Sequence, residues 1–309
     1  MIKKRHFVIV ISLLLIGVVM GSFFDLQITA GLFAKNDFTG LLFSSFGTYP
    51  CYMGMAFIGG GLFSTTIKRK ELPWWGKLFC FFLSALAYVL SIVIAAKDLP
   101  SVNGFNNPKL APISYTICAL LFSATFVLAF YVCKKGNVKY LWNILLIMAM
   151  VYILGMLPAS YAIKLVIHRP RYRFLVREGL TEFHNWWESQ SNYKDFLDGS
   201  YVVDGHVITK EEFKSFPSGH SGAAAILMML LPSLTLFFEK LKGKETLLFY
   251  TGFVWTLINM FFRLRVGAHF LSDTCVGSLI VLGVFFVFHE FAKSKNILTP
   301  SQKQEQLNI

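Results

Sequence analysis

Charged residues are scarce in this 309-residue chain: Asp, Glu, Lys and Arg make up 15%, against about a quarter in typical soluble proteins. Apolar residues reach 55%, with a mean hydropathy of +0.57, which exceeds what the core of a soluble protein needs. This composition excludes a disordered chain and a collagen-like fibre, and it indicates that lipid surrounds much of the chain. The formal net charge of +12 is therefore expected in loops that face anionic headgroups, rather than on a nucleic-acid-binding surface.

Regularly spaced cysteine pairs are also lacking. The five cysteines include no CxxC pair, and most of them lie inside apolar runs, where a thiol packs as a small hydrophobic group. We therefore expect neither a disulfide framework nor a zinc site. No A-x-A-like cleavage site follows the first apolar run, so that run is predicted to be a retained span rather than a signal peptide.

Eight apolar runs approach the length of about 20 residues that a helix needs to cross the hydrocarbon core of a bilayer. They cover residues 7–24, 49–67, 78–96, 113–133, 141–163, 219–238, 247–262 and 273–291. The predicted fold class is all-α, a polytopic transmembrane helical bundle with a small extracytoplasmic loop region. The second run contains four glycines, which we interpret as close helix packing rather than as a binding loop.

Lysine and arginine positions predict the orientation of the spans. With the N-terminus in the cytoplasm, the cytoplasmic segments hold 16 of the 29 basic residues, and both termini are cytoplasmic. The predicted organisation is a set of N-terminal spans (1–140), a core of four further spans (141–292) and a cytoplasmic tail (293–309). The core includes an extracytoplasmic cap (172–216), which is polar and rich in aromatic residues. This cap is either a solvated loop or a lid over a site.

Three polar clusters lie at the predicted outer ends of the last four spans, where ionisable residues are costly unless they have a function. The first is a basic run that includes Lys164 and Arg171, seven positions apart and so on one face of a continuing helix. Snorkelling of these side chains towards lipid headgroups is one explanation of the run. Binding of an anion is the other.

The second cluster, Pro217-Ser218-Gly219-His220, leads directly into the sixth apolar run. Ser218 is predicted to be the N-cap of that helix, which leaves the next amides free to bind an anion at the positive end of the helix dipole. Gly219 allows a ligand to approach the backbone, and His220 can reach the same anion. An ordinary capped helix start with a surface histidine is the competing interpretation.

The third cluster contains Arg263, His269 and Asp273. The last two are four residues apart and so adjacent on a helix face, where a hydrogen-bonded carboxylate would fix the imidazole tautomer and leave one ring nitrogen as a nucleophile or base. A metal site formed by His220, His269 and Asp273 is an alternative. The surrounding arginines would repel a cation and attract an anion, so we predict neither a metal nor a cofactor.

Together, the three clusters have the groups that phosphoryl transfer needs. In this hypothesis His269 attacks phosphorus, Asp273 stabilises the imidazole cation that develops, and His220 serves as acid and then as base. Charged side chains, a hydroxyl and backbone amides hold the phosphate oxygens. The residues assigned to phosphate binding are Lys164, Arg171, Ser218, Gly219 and Arg263.

These clusters resemble the sequence pattern of the type 2 phosphatidic acid phosphatase family, which is K-x6-R-P, then P-S-G-H, then S-R-x5-H-x3-D. Arg171 rather than Arg169 is the matched arginine, because its spacing from Lys164 fits, although Tyr172 replaces the proline. The second motif is intact. The third has the family spacing, with Phe262 in place of the serine, and the resemblance covers about 110 residues.

The resemblance implies His269 as nucleophile, His220 as acid and base, and Asp273 as the orienting carboxylate, with no metal. It also implies a six-helix membrane unit with its site near the outer surface, so that the first spans here are partly additional. The leading hypothesis is an integral-membrane phosphatase that acts on a lipid phosphate or polyprenyl (di)phosphate at the outer leaflet. The alternatives are a lipid phosphotransferase with the same phosphohistidine and a transporter whose polar residues line a pathway.

Overall fold

The structure is a computed structural model, and it shows a bundle of helices. The described residues are 2–35, 37–98, 111–179, 183–188, 194, 197, 202–203, 206–207 and 209–297. The helices are α1 (Lys4–Leu32), α2 (Phe38–Phe46), α3 (Tyr49–Lys68), α4 (Trp74–Asp98), α5 (Ala111–Lys135), α6 (Val138–Leu157), α7 (Tyr172–Glu178), α8 (Gly219–Ala225), α9 (Leu227–Ser233), α10 (Glu245–Arg265) and α11 (Leu271–Ser294). Two-residue strands, β1 (Val202–Val203) and β2 (His206–Val207), pair antiparallel. The predicted all-α fold class is confirmed.

Seven segments of the described chain are long and apolar enough to cross a membrane. They are α1, α4, α5, α6 with the turns after it, α8 with α9, α10 and α11. The glycine-rich second run is also helical, as α3, but it is not among the seven. In α1 and α4 only 22% of the most apolar window is buried, and many large apolar side chains are exposed, as expected of helices that face lipid.

The glycines of α3 let the neighbouring helices approach it closely. A Cβ atom at Gly60 would lie 2.1 Å from the backbone oxygen of Phe126 in α5, and one at Gly59 would lie 2.9 Å from the backbone oxygen of Ser84 in α4. Only a residue without a side chain permits these separations. The interpretation of the glycines as packing residues is therefore confirmed.

Replacement of Gly60 by alanine is expected to lower the midpoint of thermal unfolding in detergent. The new methyl group would displace backbone of α5, and overpacking of this kind costs about 1–3 kcal/mol. The matched control is Gly31→Ala in α1, where an added Cβ would meet nothing within 4 Å. Equal midpoints for the two variants would contradict this account of the packing.

Helix α1 packs along α11 over most of its length and contacts α10 near its own start. Near its start, the ring of Phe7 contacts Phe249 and Phe285 at centroid distances of 5.1 and 5.2 Å, and His6 Nδ1 lies 3.0 Å from the hydroxyl of Tyr250. Near its other end, Asp25 is buried against the start of α11. At 1.5 Å per residue these two contacts are about 28 Å apart, so the N-terminus lies at the opposite end of the bundle from the beginning of α11.

The chain loses regular α-helical geometry immediately after α6. Pro158 begins a π-helical turn (Pro158–Ala162), which a 3-10 turn (Ile163–Leu165) follows. Proline has no amide hydrogen and disrupts the regular bonding pattern, and such wide turns are frequent at functional sites. The turns place Lys164 beside the segment that precedes α8. The predicted sixth span likewise consists of two short helices, α8 and α9, rather than one.

Candidate active site

The three polar clusters meet at one end of the bundle. The amide of Arg171 donates to the carbonyl oxygen of Glu212 at 2.8 Å, and the amide of Ser218 donates to the carbonyl oxygen of Asp273 at 2.9 Å. Gly277 makes the second contact possible, because a Cβ there would lie 2.2 Å from the carbonyl oxygen of Ser218. Segments that are far apart in sequence are therefore joined by backbone hydrogen bonds.

His269 is buried, and its tautomer is fixed by a single hydrogen bond. Its Nδ1 lies 2.6 Å from the carbonyl oxygen of Ser215. Because a carbonyl oxygen only accepts, Nδ1 carries the proton, and Nε2 of the neutral ring keeps its lone pair. Burial lowers the pKa of His269 well below its ordinary value, and the charges of Arg263, Lys164 and Arg171 lower it further. The ring is therefore uncharged at neutral pH, with its proton on Nδ1 and a lone pair on Nε2, as a nucleophile requires.

Asp273 acts on His269 through Ser215 rather than by a direct hydrogen bond. The Asp273 carboxylate is 3.9 Å from His269 Nδ1, which is too long for the direct bond expected from sequence. Its Oδ2 instead accepts from the Ser215 hydroxyl at 2.5 Å and from the Phe270 amide at 2.8 Å. The difference arises because the backbone of Ser215 lies beside the ring and occupies the Nδ1 hydrogen.

Arg169, which the motif spacing passes over in favour of Arg171, is fully buried next to Asp273. Its Nη1 donates to Oδ1 of Asp273 at 2.5 Å, and its Nη2 donates to Oδ2 of Asp25 at 2.9 Å. Its Nε donates to the carbonyl oxygen of His184 at 2.9 Å. Arg169 therefore holds the carboxylate of Asp273 and is itself held by α1 and by the cap.

A serine of α2 contacts both His220 and Arg263. The Arg263 Nη1 donates to the Ser44 hydroxyl at 2.9 Å, and His220 has a hydrogen bond with the backbone of Ser44. Ser44 and Arg263 are buried. An element outside the four predicted core spans thus positions one histidine and one cation of the site.

The remaining cations crowd around the two histidines. His220 and His269 both lie within electrostatic reach of Lys164, Arg171 and Arg263. The Lys164 ammonium donates to a backbone carbonyl at 3.1 Å. Nε of Arg171 is buried and makes no hydrogen bond within the described part of the chain. Burial and Arg173 lower the pKa of Arg171 to about 10, so its charge persists at neutral pH.

Within the described part of the chain, acidic residues compensate only part of the positive charge of these cations, which together with the two histidines form the pocket. Asp273 is paired with Arg169, and the Glu211 carboxylate comes no closer to Arg171 than 3.9 Å. The charges of Arg173 and other cations lower the pKa of Glu212, which is therefore ionised at neutral pH. Buried cations without full compensation favour the binding of an anion.

Ser218 is the N-cap of α8, as predicted. Its hydroxyl accepts from the amide of Ser221 at 3.3 Å and lies 3.0 Å from that residue's hydroxyl. Gly219 packs against the turn after α6, where a Cβ would lie 2.9 Å from the hydroxyl oxygen of Ser160. The structure thus brings together all eight predicted site residues in the elements around one end of the bundle.

The described part of the cap packs directly over the second motif. The Trp186 ring stacks on Phe216 at a centroid distance of 5.5 Å, and its indole N–H donates to the Ser22 hydroxyl of α1 at 2.9 Å. Residues 180–182 and most of 189–208, all within the predicted cap, lie outside the described residues, as does the tail beyond 297. The hypothesis of a lid stays a prediction.

The fold and this site define a class: a polytopic helical membrane protein with a cationic pocket built around two histidines. The sequence model of the PAP2 superfamily matches residues 140–297, just over half of the chain. This range contains all eight predicted site residues. The chain therefore belongs to the PAP2 superfamily. Helices α1 to α5, with Asp25 and Ser44, precede the matched range.

One relative is phosphatidylglycerophosphatase B of Haemophilus influenzae. It is 31% identical over 103 residues, which are 33% of this chain and 42% of that protein. The match thus covers less than half of the relative. No solved structure matches the chain.

Proposed function

We propose that this protein is a membrane phosphatase that hydrolyses a lipid phosphate through a phosphohistidine intermediate on His269. The observation that carries the proposal is the state of that ring. Its Nδ1 hydrogen is held by Ser215, and its Nε2 has no hydrogen-bond partner among the described residues and lies within reach of three cations. A neutral imidazole surrounded by phosphate-binding cations is an activated nucleophile for phosphorus.

In the first step, the Nε2 lone pair of His269 attacks phosphorus and the bond from phosphorus to the lipid oxygen breaks. His220, in its protonated form, donates a proton to the leaving oxygen. The three cations and the donors at the start of α8 hold the remaining phosphate oxygens, whose negative charge offsets the cost of protonating His220 in this pocket. The residues proposed to bind phosphate are Lys164, Arg171, Ser218, Gly219 and Arg263.

In the second step, the now neutral His220 takes a proton from water as the water oxygen attacks phosphorus. The phosphorus–nitrogen bond breaks, its electron pair returns to Nε2 of His269, and inorganic phosphate leaves. The ring is cationic between the two steps. The carbonyl of Ser215 on Nδ1 and the carboxylate of Asp273 at 3.9 Å stabilise that cation.

The position of the site supports a lipid substrate. The pocket lies where the apolar helices end, which is the level at which a lipid headgroup leaves the bilayer. The relative from Haemophilus influenzae is by its name a phosphatase of phosphatidylglycerophosphate, and we extend that substrate class, a phosphomonoester on a glycerolipid, to this chain.

The orientation of α1 supports an extracytoplasmic site. Its basic start, Lys3 to Arg5, lies at the opposite end of the bundle from the pocket, and basic segments favour the cytoplasmic side. We therefore propose that the termini are cytoplasmic and that the site opens at the outer face.

Purified protein in detergent is expected to release inorganic phosphate from lipid phosphates, and to do so in the presence of EDTA. The test is a phosphate-release panel with phosphatidic acid, phosphatidylglycerophosphate and undecaprenyl diphosphate, each with and without an acceptor lipid. Release that requires the acceptor would identify a phosphotransferase. Loss of activity in EDTA that only a divalent metal restores would favour a metal site, although the described residues contain no His, Cys, Asp or Glu cluster suited to a metal.

A further inference from the structure

A second buried carboxylate lies behind Asp273, and it comes from outside the part of the chain that the family matches. Asp25 of α1 accepts from Arg169 Nη2 at 2.9 Å and from the Ser272 amide at 3.0 Å, and the Ser272 hydroxyl also donates to it. Arg169 and Asp273 have 0% exposure of their side chains, and Asp25 has 1%. The three ionisable groups form one closed cluster without solvent.

The carboxylate of Asp25 is energetically costly where it lies, because α1 is otherwise an apolar helix. Asp25 is the only acidic residue in the 29 residues of α1, and it lies in a helix long and apolar enough to cross a membrane. Ionisable groups in such helices are expensive and usually functional. Gly21, one turn earlier, leaves room for the contact, because a Cβ there would lie 2.7 Å from both Asp25 Oδ1 and the Ser272 amide.

The Asp25 carboxylate changes the net charge of the cluster next to His269. With Arg169 alone, Asp273 would form a neutral pair, and a neutral pair would stabilise an adjacent cation only weakly. Asp25 shares the guanidinium and lies within electrostatic reach of Asp273. With both carboxylates ionised, the cluster carries a net charge of −1. Asp273 is the member of the cluster whose carboxylate lies 3.9 Å from His269.

We propose that Asp25 is a positioning residue of the phosphoryl-transfer reaction: it offsets the charge of Arg169, so that Asp273 stays effectively negative towards the phosphohistidine while Arg169 holds it in place. This inference rests on the function proposed above. It extends the site beyond residues 140–297 and gives the N-terminal helix a part in the chemistry.

The competing interpretation is that Asp25 only caps the first turn of α11 through the Ser272 amide. The two interpretations predict different kinetics. A cap holds the fold, so its loss would lower the amount or the stability of folded enzyme and leave kcat per folded molecule near the wild-type value. A charge that acts on the cationic intermediate would change kcat more than KM.

The first test is Asp25→Asn, with phosphatidic acid or the best lipid of the panel as substrate. We expect kcat per folded molecule to fall by about 10- to 100-fold, less than for a direct contact to the reacting atoms, with KM changed by less than about threefold. The comparison variant is Ser272→Ala, which removes two hydrogen bonds of the same cluster, to Asp25 and from Arg169, but no charge. Its loss in kcat should be several times smaller. Thermal unfolding and gel filtration in detergent report the folded fraction of each variant.

The second test is the double variant Asp25→Asn/Arg169→Gln, which restores a cluster charge of about −1. Asp273 still accepts from Ser215 and Phe270 in this variant, so its position is retained. We expect kcat within about tenfold of the wild type and above that of Asp25→Asn, in line with a charge effect. This variant also decides the matter if Asp25→Asn alone does not fold, because a kcat below 1% of wild type would contradict the proposal.

The outcomes separate this inference from the proposed function. Wild-type activity together with an unchanged kcat in Asp25→Asn would overturn the role of Asp25 and leave the phosphatase intact. Equal losses of kcat in Asp25→Asn and Ser272→Ala would mean that the hydrogen bonds of the cluster matter rather than its charge, and would overturn the role of Asp25 as well. A wild-type protein that releases no phosphate from any lipid of the panel would overturn the proposed function and this inference with it.

Discussion

Replacement of His269 by alanine is expected to reduce phosphate release by about 10⁴-fold or more, because the reaction loses the atom that bonds to phosphorus. The effect should fall on kcat, since the cations that bind the phosphate remain. The measurement is phosphate release from the best lipid substrate in detergent. Release at the wild-type rate would remove His269 as the nucleophile.

A matched control for this variant is His289→Ala. His289 is also a buried histidine, but it lies near the far end of α11, where its Nδ1 is 3.1 Å from a carboxylate oxygen of Glu290. We expect its activity to stay within about threefold of the wild type, because it contacts no group of the pocket. A comparable loss in both variants would indicate that disturbance of α11, rather than loss of the nucleophile, is responsible.

The fold class could be predicted from the sequence because the apolar runs leave few alternatives. A chain surrounded by lipid must satisfy its backbone hydrogen bonds within each segment, so long apolar runs become helices. The same argument does not show where a helix is interrupted. The division of the sixth span into α8 and α9 and the turns after Pro158 depend on tertiary packing, which hydropathy does not report.

The candidate site was predicted where its residues have local spacing. The pairs Lys164 with Arg171 and His269 with Asp273 are one or two helical turns apart, so a motif reveals them. Asp25 and Ser44 were missed because their partners are far away in sequence: Asp25 contacts a residue 247 positions later, and Ser44 contacts one 219 positions later. A lone acidic residue at the end of an apolar run was the only available signal for Asp25.

The direct bond predicted between Asp273 and His269 fails for a related reason. The i, i+4 spacing assumes that both residues are on one helix, whereas α11 begins only at Leu271, after His269. The ring is therefore free to turn towards the backbone of Ser215, which the cluster of Arg169 and Asp273 holds in position. The spacing identifies His269 and Asp273, but the position at which α11 begins determines which atoms of these residues form hydrogen bonds.

Replacement of His220 by asparagine is expected to slow turnover of lipid substrates by about 10²- to 10⁴-fold, the usual contribution of a positioned acid or base. Both proposed steps lose their proton donor or acceptor. The nucleophile and the phosphate-binding cations remain, so the variant should still bind the substrate. Measurement of kcat and KM on the same lipid checks both expectations.

A substrate with a good leaving group separates the two roles of His220. With p-nitrophenyl phosphate, the leaving phenolate needs no proton, so His220→Asn should still be phosphorylated on His269. Attack by water on the phosphohistidine still needs the missing base and becomes the slow step. We therefore expect a burst of p-nitrophenolate close to one per enzyme molecule, with an acid-labile phosphoenzyme that mass spectrometry locates on His269.

The double variant His220→Asn/His269→Ala is the control for this trap, and it should give neither a burst nor a phosphoenzyme. Accumulation of phosphoenzyme in the double variant would place the covalent bond on another residue. A single variant that turns over slowly without a burst would mean that hydrolysis of the phosphohistidine is not the slow step, and it would contradict the role of His220 as the base of the second step. The burst distinguishes the nucleophile from the general base. Substitution of either histidine lowers the steady-state rate, but only loss of the base leaves the phosphoryl group on the enzyme.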